Sequence, residues 1–379
     1  MKIVTIVGAR PQIIKAAALS RAINNKFHQL DEVIVHTGQH YDSNMSDVFF
    51  DEMGIPKPKL NLNVGSGNHG KQTAEMVEKL EEVFVQEEPD AIVVYGDTNS
   101  TLATAIAASK LHLPIVHIEA GLRSFNKKMP EEINRIMCDH ASTLLFSPTA
   151  TGINNLVNEG FVEDHSHPAD MDHPRIYHCG DVMYDNSIYF SEISDDKSSI
   201  MQEISVEKDK YILATVHRND NTDHKDKLTS IFNSFLKITN QFSTPIVLPL
   251  HPRTAKMMDV VLSPELKKEI DHCEFIKIIP PASFLDMIAL EKNCKMILTD
   301  SGGVQKEAYF FNKPCVILRP QTEWVEIVDV GCAVLADADE SAIIEATNRF
   351  MSKENLAFPP IFGDGSAAEF IADEIIKQL

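Results

Sequence analysis

The sequence predicts an α/β protein made of two successive parallel-sheet units, and three observations carry that prediction. Short β-branched runs alternate with stretches of helical periodicity, the pattern of strands buried on both faces under covering helices. The alternation restarts once, beyond residue 210. The chain has 379 residues, more than the roughly 100–200 of one domain.

In the first half the strands are read at Ile3–Val7, Glu32–His36, Ala91–Tyr95, Ile115–Ile118 and Leu144–Ser147. Helices are read between them at Ile13–Asn25, Thr73–Gln86, Thr101–Leu111 and Glu131–His140. The second set of strands is Tyr211–Val216, Pro245–Leu250, Glu274–Ile278, Met296–Leu298 and Cys315–Leu318. Its helices lie near Lys225–Asn240, Pro281–Leu290, Val304–Asn312 and Glu340–Met351. Asp185 to Lys210 is polar and helical in character, so the division is expected between about Asp181 and Asp209. Domains are expected at 1–182 and 183–364, with a closing helix in 365–379. Open α/β sheets bind ligands beyond the carboxyl ends of their strands, so the chemistry is expected in an interdomain cleft that both units face.

Composition narrows the function classes. Hydrophobic residues are 44% and charged residues 24%, a globular balance that excludes an intrinsically disordered chain. The 35 basic against 55 acidic residues give a net charge of −20. That argues against nucleic-acid partners and against docking on an anionic membrane. No apolar run approaches the ~20 residues of a membrane span, and Met1–Arg10 reads as a first strand rather than a signal peptide. Cys138, Cys179, Cys273, Cys294, Cys315 and Cys332 form no C-x-x-C pair and read as reduced thiols of a cytoplasmic protein. The His165–His173 segment reads as a solvated loop rather than a metal site, since no other ligand-spaced motif supports it.

The chemistry-bearing residues follow strand ends. Gly8-Ala9-Arg10-Pro11-Gln12 follows the first strand, and Pro11 suits the first turn of a helix. Arg10 and Lys15 can reach an anion there; an ordinary turn with surface cations is the plainer reading. The segment is not a G-x-G-x-x-G fingerprint, so no nicotinamide dinucleotide is signalled. Asp97, in Gly96-Asp97-Thr98-Asn99-Ser100-Thr101, either points toward the cleft or caps the next helix. Glu119, in His117-Ile118-Glu119-Ala120-Gly121-Leu122-Arg123, puts a second carboxylate at the same sheet edge. Pro130-Glu131-Glu132 opens a helix, where acids are favoured by the helix dipole. Glu131 and Arg135, four apart, share one face. Three acidic points on one edge indicate proton transfer.

In the second half, His217 and Arg218 close one strand and His251-Pro252-Arg253 closes the next. Leu298-Thr299-Asp300-Ser301-Gly302-Gly303-Val304-Gln305-Lys306-Glu307 is the sharpest signal: a strand, then Ser-Gly-Gly, then a helix, which is a phosphate cradle. Glu307, about one turn inside, is placed to hold ribose hydroxyls. Arg319 and the lone Trp324 follow another strand. Arg10, Lys15, Arg135, Arg218, Arg253 and Arg319 are thus candidate phosphate contacts in an acidic protein. Screening over about 8 Å lets local charge outweigh distant net charge. A pyrophosphate fits this arrangement; a long polyanion does not.

The ordered set GARPQIIK, GDTNSTLA, HIEAGLRS, PEEINR, TVHRN, HPRT and LTDSGGVQKEA spans nearly the whole chain. It resembles the non-hydrolysing bacterial UDP-N-acetylglucosamine 2-epimerase family. That resemblance implies a GT-B-like fold, two Rossmann-like domains facing a cleft that holds UDP, a usual homodimer, and no metal or cofactor. It implies interconversion of UDP-GlcNAc and UDP-ManNAc through elimination of UDP, a 2-acetamidoglucal, and re-addition. By motif match Asp97, Glu119, Glu131 and His217 carry over as catalytic residues. Arg10, Lys15, Arg135, Ser301, Gly302, Gly303 and Glu307 carry over as UDP contacts, alongside the candidates Arg218, His251 and Arg319. Thr322-Glu323-Trp324-Val325-Glu326 stands where more familiar members have Thr-Glu-Arg-Pro-Glu, and Met129 stands where they have Trp. Thr322-Glu323-Trp324-Val325-Glu326 and Gly8-Ala9-Arg10-Pro11-Gln12 look more like relatives acting on modified sugars such as UDP-2,3-diacetamido-2,3-dideoxyglucuronate. Gln39-His40-Tyr41-Asp42 replaces the second Gln of the Gln-His-x-Gln cluster used by allosterically activated members. A hydrolysing epimerase, a GT-B glycosyltransferase and a silent UDP-sugar sensor are the rival readings.

Overall fold

The structure, a computed structural model, describes residues 1–38, 57–162, 166–352 and 356–379. The Gln39–Asp42 cluster and His165 lie outside the described residues. Two compact units are present, one of Met1–Asn186 with Pro360–Leu379 and one of Ser187–Pro359.

In the first unit the strands are β1 (Lys2–Val7), β2 (Asp31–His36), β3 (Leu60–Asn61), β4 (Ala91–Tyr95), β5 (Ile115–Ile118), β6 (Leu144–Ser147) and β7 (Arg175–His178). They form one parallel sheet in the order β3-β2-β1-β4-β5-β6-β7. β4 and β5 are buried along their whole length; β4 reads as an unbroken apolar run, and β5 as one interrupted only by His117. The covering helices are α1 (Arg10–Lys26), α2 (His69–Glu87), α3 (Asn99–Lys110), α4 (Pro130–Asp139) and α5 (Ala150–Asn158), and α6 (Val182–Lys197) contains the division between the units. Growth of the sheet changes direction at β1, with β2 on one side and β4 on the other. The chain segments leaving β1 and β4 diverge there, and that switch point opens a crevice at their carboxyl ends.

The second unit repeats the plan. After α7 (Ile200–Glu203) come β8 (Ile212–Thr215), α8 (Asn219–Thr222), α9 (Lys225–Phe242), β9 (Ile246–Pro249), α10 (Pro252–Val261), α11 (Pro264–His272), β10 (Ile276–Ile279) and α12 (Phe284–Asn293). Then follow β11 (Met296–Thr299), α13 (Gly302–Phe310), β12 (Cys315–Ile317), α14 (Val325–Asp329), β13 (Ala333–Leu335) and α15 (Glu340–Ser352). The sheet order is β10-β9-β8-β11-β12-β13, again all parallel, with its switch point between β8 and β11. Phe232 and Phe235 of α9 fill the core on one face.

The last helix, α16 (Ala367–Gln378), packs on α1 of the first unit. Its amino end is held by Asp185, which accepts from the backbone N–H of Ala367 (3.2 Å) and Ala368 (2.7 Å). Lys26 pairs with Glu369 at 2.5 Å. The contact division therefore falls at Asn186/Ser187, a few residues beyond the expected 182/183 border, and the return to the first unit begins at Pro360 rather than at residue 365. Burial of Asp185 pushes its carboxyl up to about 6, against the two N–H bonds that favour charge.

One buried network braces the first sheet. His117 Nδ1 donates to Asp139 (2.6 Å) and Nε2 donates to the Gly96 carbonyl (2.9 Å). Both ring nitrogens face acceptors, so both carry hydrogens and the ring is an imidazolium. Burial opposes that charge, but Cys138 and Asp139 together outweigh it and hold His117 well above the ordinary histidine range. Asp139 also accepts from Gly121 N–H (3.1 Å) and pairs with Arg123 (2.7 Å), which in turn grips Glu159 through two 2.7 Å bonds.

Two outcomes follow for stability. Asp139→Ala strands His117 and Arg123 in the interior, and urea unfolding is expected to show a loss of about 3–5 kcal/mol. For Asp185 the folded chain binds the proton more tightly than the unfolded chain, so its contribution is full near pH 4 and fades as pH rises through about 6. Asp185→Asn removes that slope, and its stability relative to the native chain should improve between pH 4 and pH 7 in paired denaturation curves.

Candidate active site

The first unit gathers its charges where β1, β4 and β5 end. Gly8 follows β1 with no room for a side chain: a Cβ there would overlap Ser100 and Thr37. Gln12, in the first turn of α1, accepts from Gly8 N–H (2.9 Å) and Ala9 N–H (3.2 Å) and donates to the Tyr95 carbonyl (2.8 Å). It thereby ties the turn after β1 to the end of β4. Arg10 opens α1 at the surface, and Lys15, one turn on, pairs with Glu119.

Gly96 at the end of β4 has φ +61°, and a Cβ there would stand 3.0 Å from Glu119 Oε2 and 3.2 Å from Lys15 Nζ. The absent side chain is what lets that ion pair form. Glu119 itself has φ +74°, a left-handed conformation that costs energy for any residue but glycine. Strain of this kind persists only where surrounding contacts enforce it, and it concentrates at functional sites.

Asp97 does not cap the next helix. Thr98 does, accepting from Thr101 N–H, and Asp97 instead pairs with Arg135. Burial is the largest influence on Asp97 and raises its carboxyl; Arg135 and Lys15 pull it down, and Glu119 and Glu131 push it up, leaving it above the ordinary range. Asp97, Glu119, Glu131, Lys15 and Arg135 are therefore one electrostatic group. Asn134 steadies the segment by donating to the Asp97 carbonyl at 2.9 Å.

Glu131 and Arg135 lie four apart in α4, but the ion-pair partner of Arg135 within that helix is Glu132, at 3.0 Å, and Glu131 is exposed. Glu132 is buried because it also accepts from the N–H groups of Ser124 and Phe125 at 2.8 Å each, anchoring the loop before α4.

In the second unit Asp300, fully buried after β11, accepts from the backbone N–H of His217 (3.0 Å) and Arg218 (3.0 Å) and from Asn221 Nδ2 (3.1 Å). This fixes the turn that follows β8. Burial lowers the His217 imidazole below its ordinary value, with Arg218 and His251 adding to the effect and Asp300 opposing it, so the ring is neutral at pH 7. His251 lies with its ring centroid 5.8 Å from that of His217 and accepts from the N–H of Arg253. Arg253 pairs with Asp223.

α13 begins at Gly302, so Gly302 and Gly303 form its first turn rather than a loop before it. A Cβ on Gly302 would stand 3.7 Å from both Arg218 Nη2 and Arg319 Nη1, so two guanidinium groups flank this helix end. Arg319 is held by Glu323 through bonds of 3.1 and 2.9 Å. Trp324 Nε1 donates to the Gly302 carbonyl at 3.1 Å, and Lys306 lies over the indole. Ser301 N–H is taken by Thr299 Oγ1 at 2.9 Å. Glu307 reaches back along the helix, its Oε2 3.9 Å from a Cβ position on Gly303. A helix amino end between two arginines attracts an anion, and a carboxylate beside it accepts from hydroxyl groups.

Of the residues expected from sequence, the structure brings Lys15, Asp97, Glu119 and Arg135 together in the first unit. It brings His217, Arg218, His251, Ser301, Gly302, Gly303, Glu307 and Arg319 to the same end of the second sheet. Sequence reasoning missed the supporting residues Gln12, Glu132, Asn134 and Asp300 as individuals, although all four lie inside quoted motifs. In the histidine-rich segment His173 pairs with Asp170 at 2.9 Å and its ring lies 4.6 Å from that of His167. Among the described residues no group of three His, Cys, Asp or Glu could hold a metal ion, and no helix is long and apolar enough to cross a membrane.

Known proteins match this architecture over its full length. The family model for UDP-N-acetylglucosamine 2-epimerase matches residues 21–376. A UDP-N-acetylglucosamine 2-epimerase homolog of Methanococcus maripaludis is 47% identical over 100% of both chains. A UDP-2,3-diacetamido-2,3-dideoxy-D-glucuronate 2-epimerase of Pseudomonas aeruginosa is 46% identical, again over 100% of both. The crystal structure of the Methanocaldococcus jannaschii UDP-GlcNAc 2-epimerase, in complex with UDP-GlcNAc and UDP, superposes with a TM-score of 0.83 at 39% identity, covering 100% of each chain. A glycosyltransferase from Rickettsia africae, 14% identical with a TM-score of 0.56, shares the fold alone. With its GT-B-like pair of α/β units, the chain belongs to the UDP-N-acetylglucosamine 2-epimerase family.

Proposed function

We propose that the protein is a non-hydrolysing UDP-sugar 2-epimerase that interconverts UDP-GlcNAc and UDP-ManNAc. The observation that carries this reading is the carboxylate group Asp97, Glu119 and Glu131 interleaved with Lys15 and Arg135. Epimerisation at C2 needs proton traffic on two faces of one carbon. A single base would have to swing between them; several fixed carboxylates need not.

In the first half-reaction a carboxylate takes the C2 proton, the C1–O bond to UDP breaks, and a C1–C2 double bond forms, giving the 2-acetamidoglucal and UDP. In the second, UDP adds back at C1 while a different acid delivers a proton to the opposite face of C2. Asp97, raised by burial, is a stronger base than an ordinary carboxylate and is one proton carrier. Lys15, Arg135 and Arg10 offset charge gained as UDP departs. In the second unit the amino end of α13, with Ser301, Gly302 and Gly303 and the flanking Arg218 and Arg319, is assigned to the diphosphate, and Glu307 to the ribose. Neutral His217, with His251 beside it, donates a hydrogen bond to the departing oxygen or the pyrophosphate. No step requires a metal or a cofactor. The protein is further proposed to act as a cytoplasmic homodimer supplying an activated sugar for polysaccharide synthesis.

A second reading, a 2-epimerase of UDP-2,3-diacetamido-2,3-dideoxyglucuronate, is favoured by Trp324, whose indole is built into the first turn of α13, and by the Pseudomonas relative. Proton NMR in D₂O with each of the two UDP-sugars tests both. The main reading expects deuterium at C2 of UDP-GlcNAc and a new UDP-ManNAc anomeric signal. Exchange with the uronate alone transfers the assignment to the second reading, and free UDP with a released sugar identifies a hydrolase. Asp97→Asn should lower the C2 exchange rate by roughly 10²–10⁴-fold while calorimetry still detects UDP binding; full exchange in this variant removes Asp97 from the mechanism.

A further inference from the structure

A second pair of carboxyl groups lies behind the anion-binding end of the second unit. Glu291, on α12, is 2% exposed and hydrogen-bonds the side chain of Glu307 on α13. Neighbouring donors are spent elsewhere: Tyr211 Oη donates to the Leu290 carbonyl at 2.6 Å, and Cys294 Sγ points at the backbone carbonyl of Glu291 at 3.1 Å. Among the described residues no donor reaches Glu291 Oε2. Two ionised carboxylates cannot hydrogen-bond each other, so one of the pair carries the proton. It belongs on Glu291, because a charge without donors in an apolar setting costs more than one on half-buried Glu307, whose carboxylate reaches toward Gly303. Glu291 is then the donor and Glu307 the ionised acceptor.

We propose that Glu291 is a positioning residue that fixes the Glu307 carboxylate beside Gly303, oriented to accept from the vicinal hydroxyls of a nucleoside diphosphate ribose. The proposal rests on the assignment of Glu307 to the ribose made above. One Glu307 oxygen is occupied by Glu291, which restricts rotation of the side chain. The carboxylate also remains charged, and so accepts more strongly than a neutral acid. Glu291 touches no reacting atom, so its effect falls on nucleotide recognition and leaves the chemical step alone.

The test compares UDP with 2′-deoxy-UDP by calorimetry, and KM with kcat for the UDP-sugar, in the full-length native protein and in Glu291→Gln, Glu291→Met and Glu307→Ala. Glutamine keeps a donor; methionine keeps the volume and removes it. The expected result is native behaviour in Glu291→Gln. In Glu291→Met the preference for UDP over 2′-deoxy-UDP should fall roughly tenfold, with KM raised to match and kcat unchanged. A merely packing role predicts that the apolar methionine is tolerated, so native discrimination in Glu291→Met overturns the proposal. Loss of discrimination in Glu291→Gln overturns it as well, and that variant decides if the methionine protein does not fold. If the native protein and Glu307→Ala discriminate equally, the ribose assignment of Glu307 is the part that fails.

Discussion

The acidic edge of the first sheet depends on the buried His117 imidazolium. It sits in the interior of β5, yet it reaches the carbonyl of Gly96 on the neighbouring strand end and the carboxylate of Asp139 at the end of α4. Gly96 precedes Asp97, and Ile118 alone separates His117 from Glu119. One charged ring thus sets the spacing of two candidate carboxylates that come from different strands. Its cost is offset by Asp139, and Asp139 is offset in turn by Arg123 and the Gly121 N–H. Interior charge tolerated on these terms is expensive, and it is retained here where backbone positions must be held closely.

The second unit uses the opposite sign for the same task. Asp300 is a buried carboxylate that collects backbone N–H groups from the turn after β8, where His117 is a buried cation that donates to the backbone after β4. Both lie at the switch point of their sheet or one strand from it, where connecting segments diverge and backbone groups lack ladder partners. Each residue satisfies those groups and in doing so fixes the side chains beside them: Asp97 in one unit, His217 and Arg218 in the other. The glycines complete the construction. At Gly96 the missing Cβ leaves the space that Glu119 and Lys15 occupy, and at Gly302 two guanidinium groups flank the helix end.

Most of the strands and all the motif-bearing turns were legible because parallel strands buried on both faces are short apolar runs with few alternatives. β7, of sequence RIYH, has no such run, and β3 is two residues long, so neither carries the pattern. Within the site, Ser301-Gly302-Gly303 could be read as an anion cradle from residue type alone. Glu131 and Glu132 could not be told apart, since adjacent acids in a first turn look equivalent until the Ser124–Phe125 loop supplies the N–H groups that bury one of them. Likewise Asp97 and Thr98 are both good caps; only the position of Arg135, 38 residues away, decides that the aspartate turns outward. Glu291 gave no signal, because a lone acid in a helix reads as a solvated position and its partner lies on the next helix.

The pairing of cations with acids bears on how a chain of net charge −20 would hold the diphosphate proposed for it. Lys15, Arg135 and Arg319 are each already engaged by a carboxylate, so a bare cationic pocket is not what an incoming anion meets. These pairs are largely shielded from water, so an anion displaces a carboxylate only where it is the stronger partner. The phosphate then brings more charge and more acceptor atoms than the carboxylate it displaces. Any carboxylate released in this way loses its nearest cation, and its affinity for a proton rises.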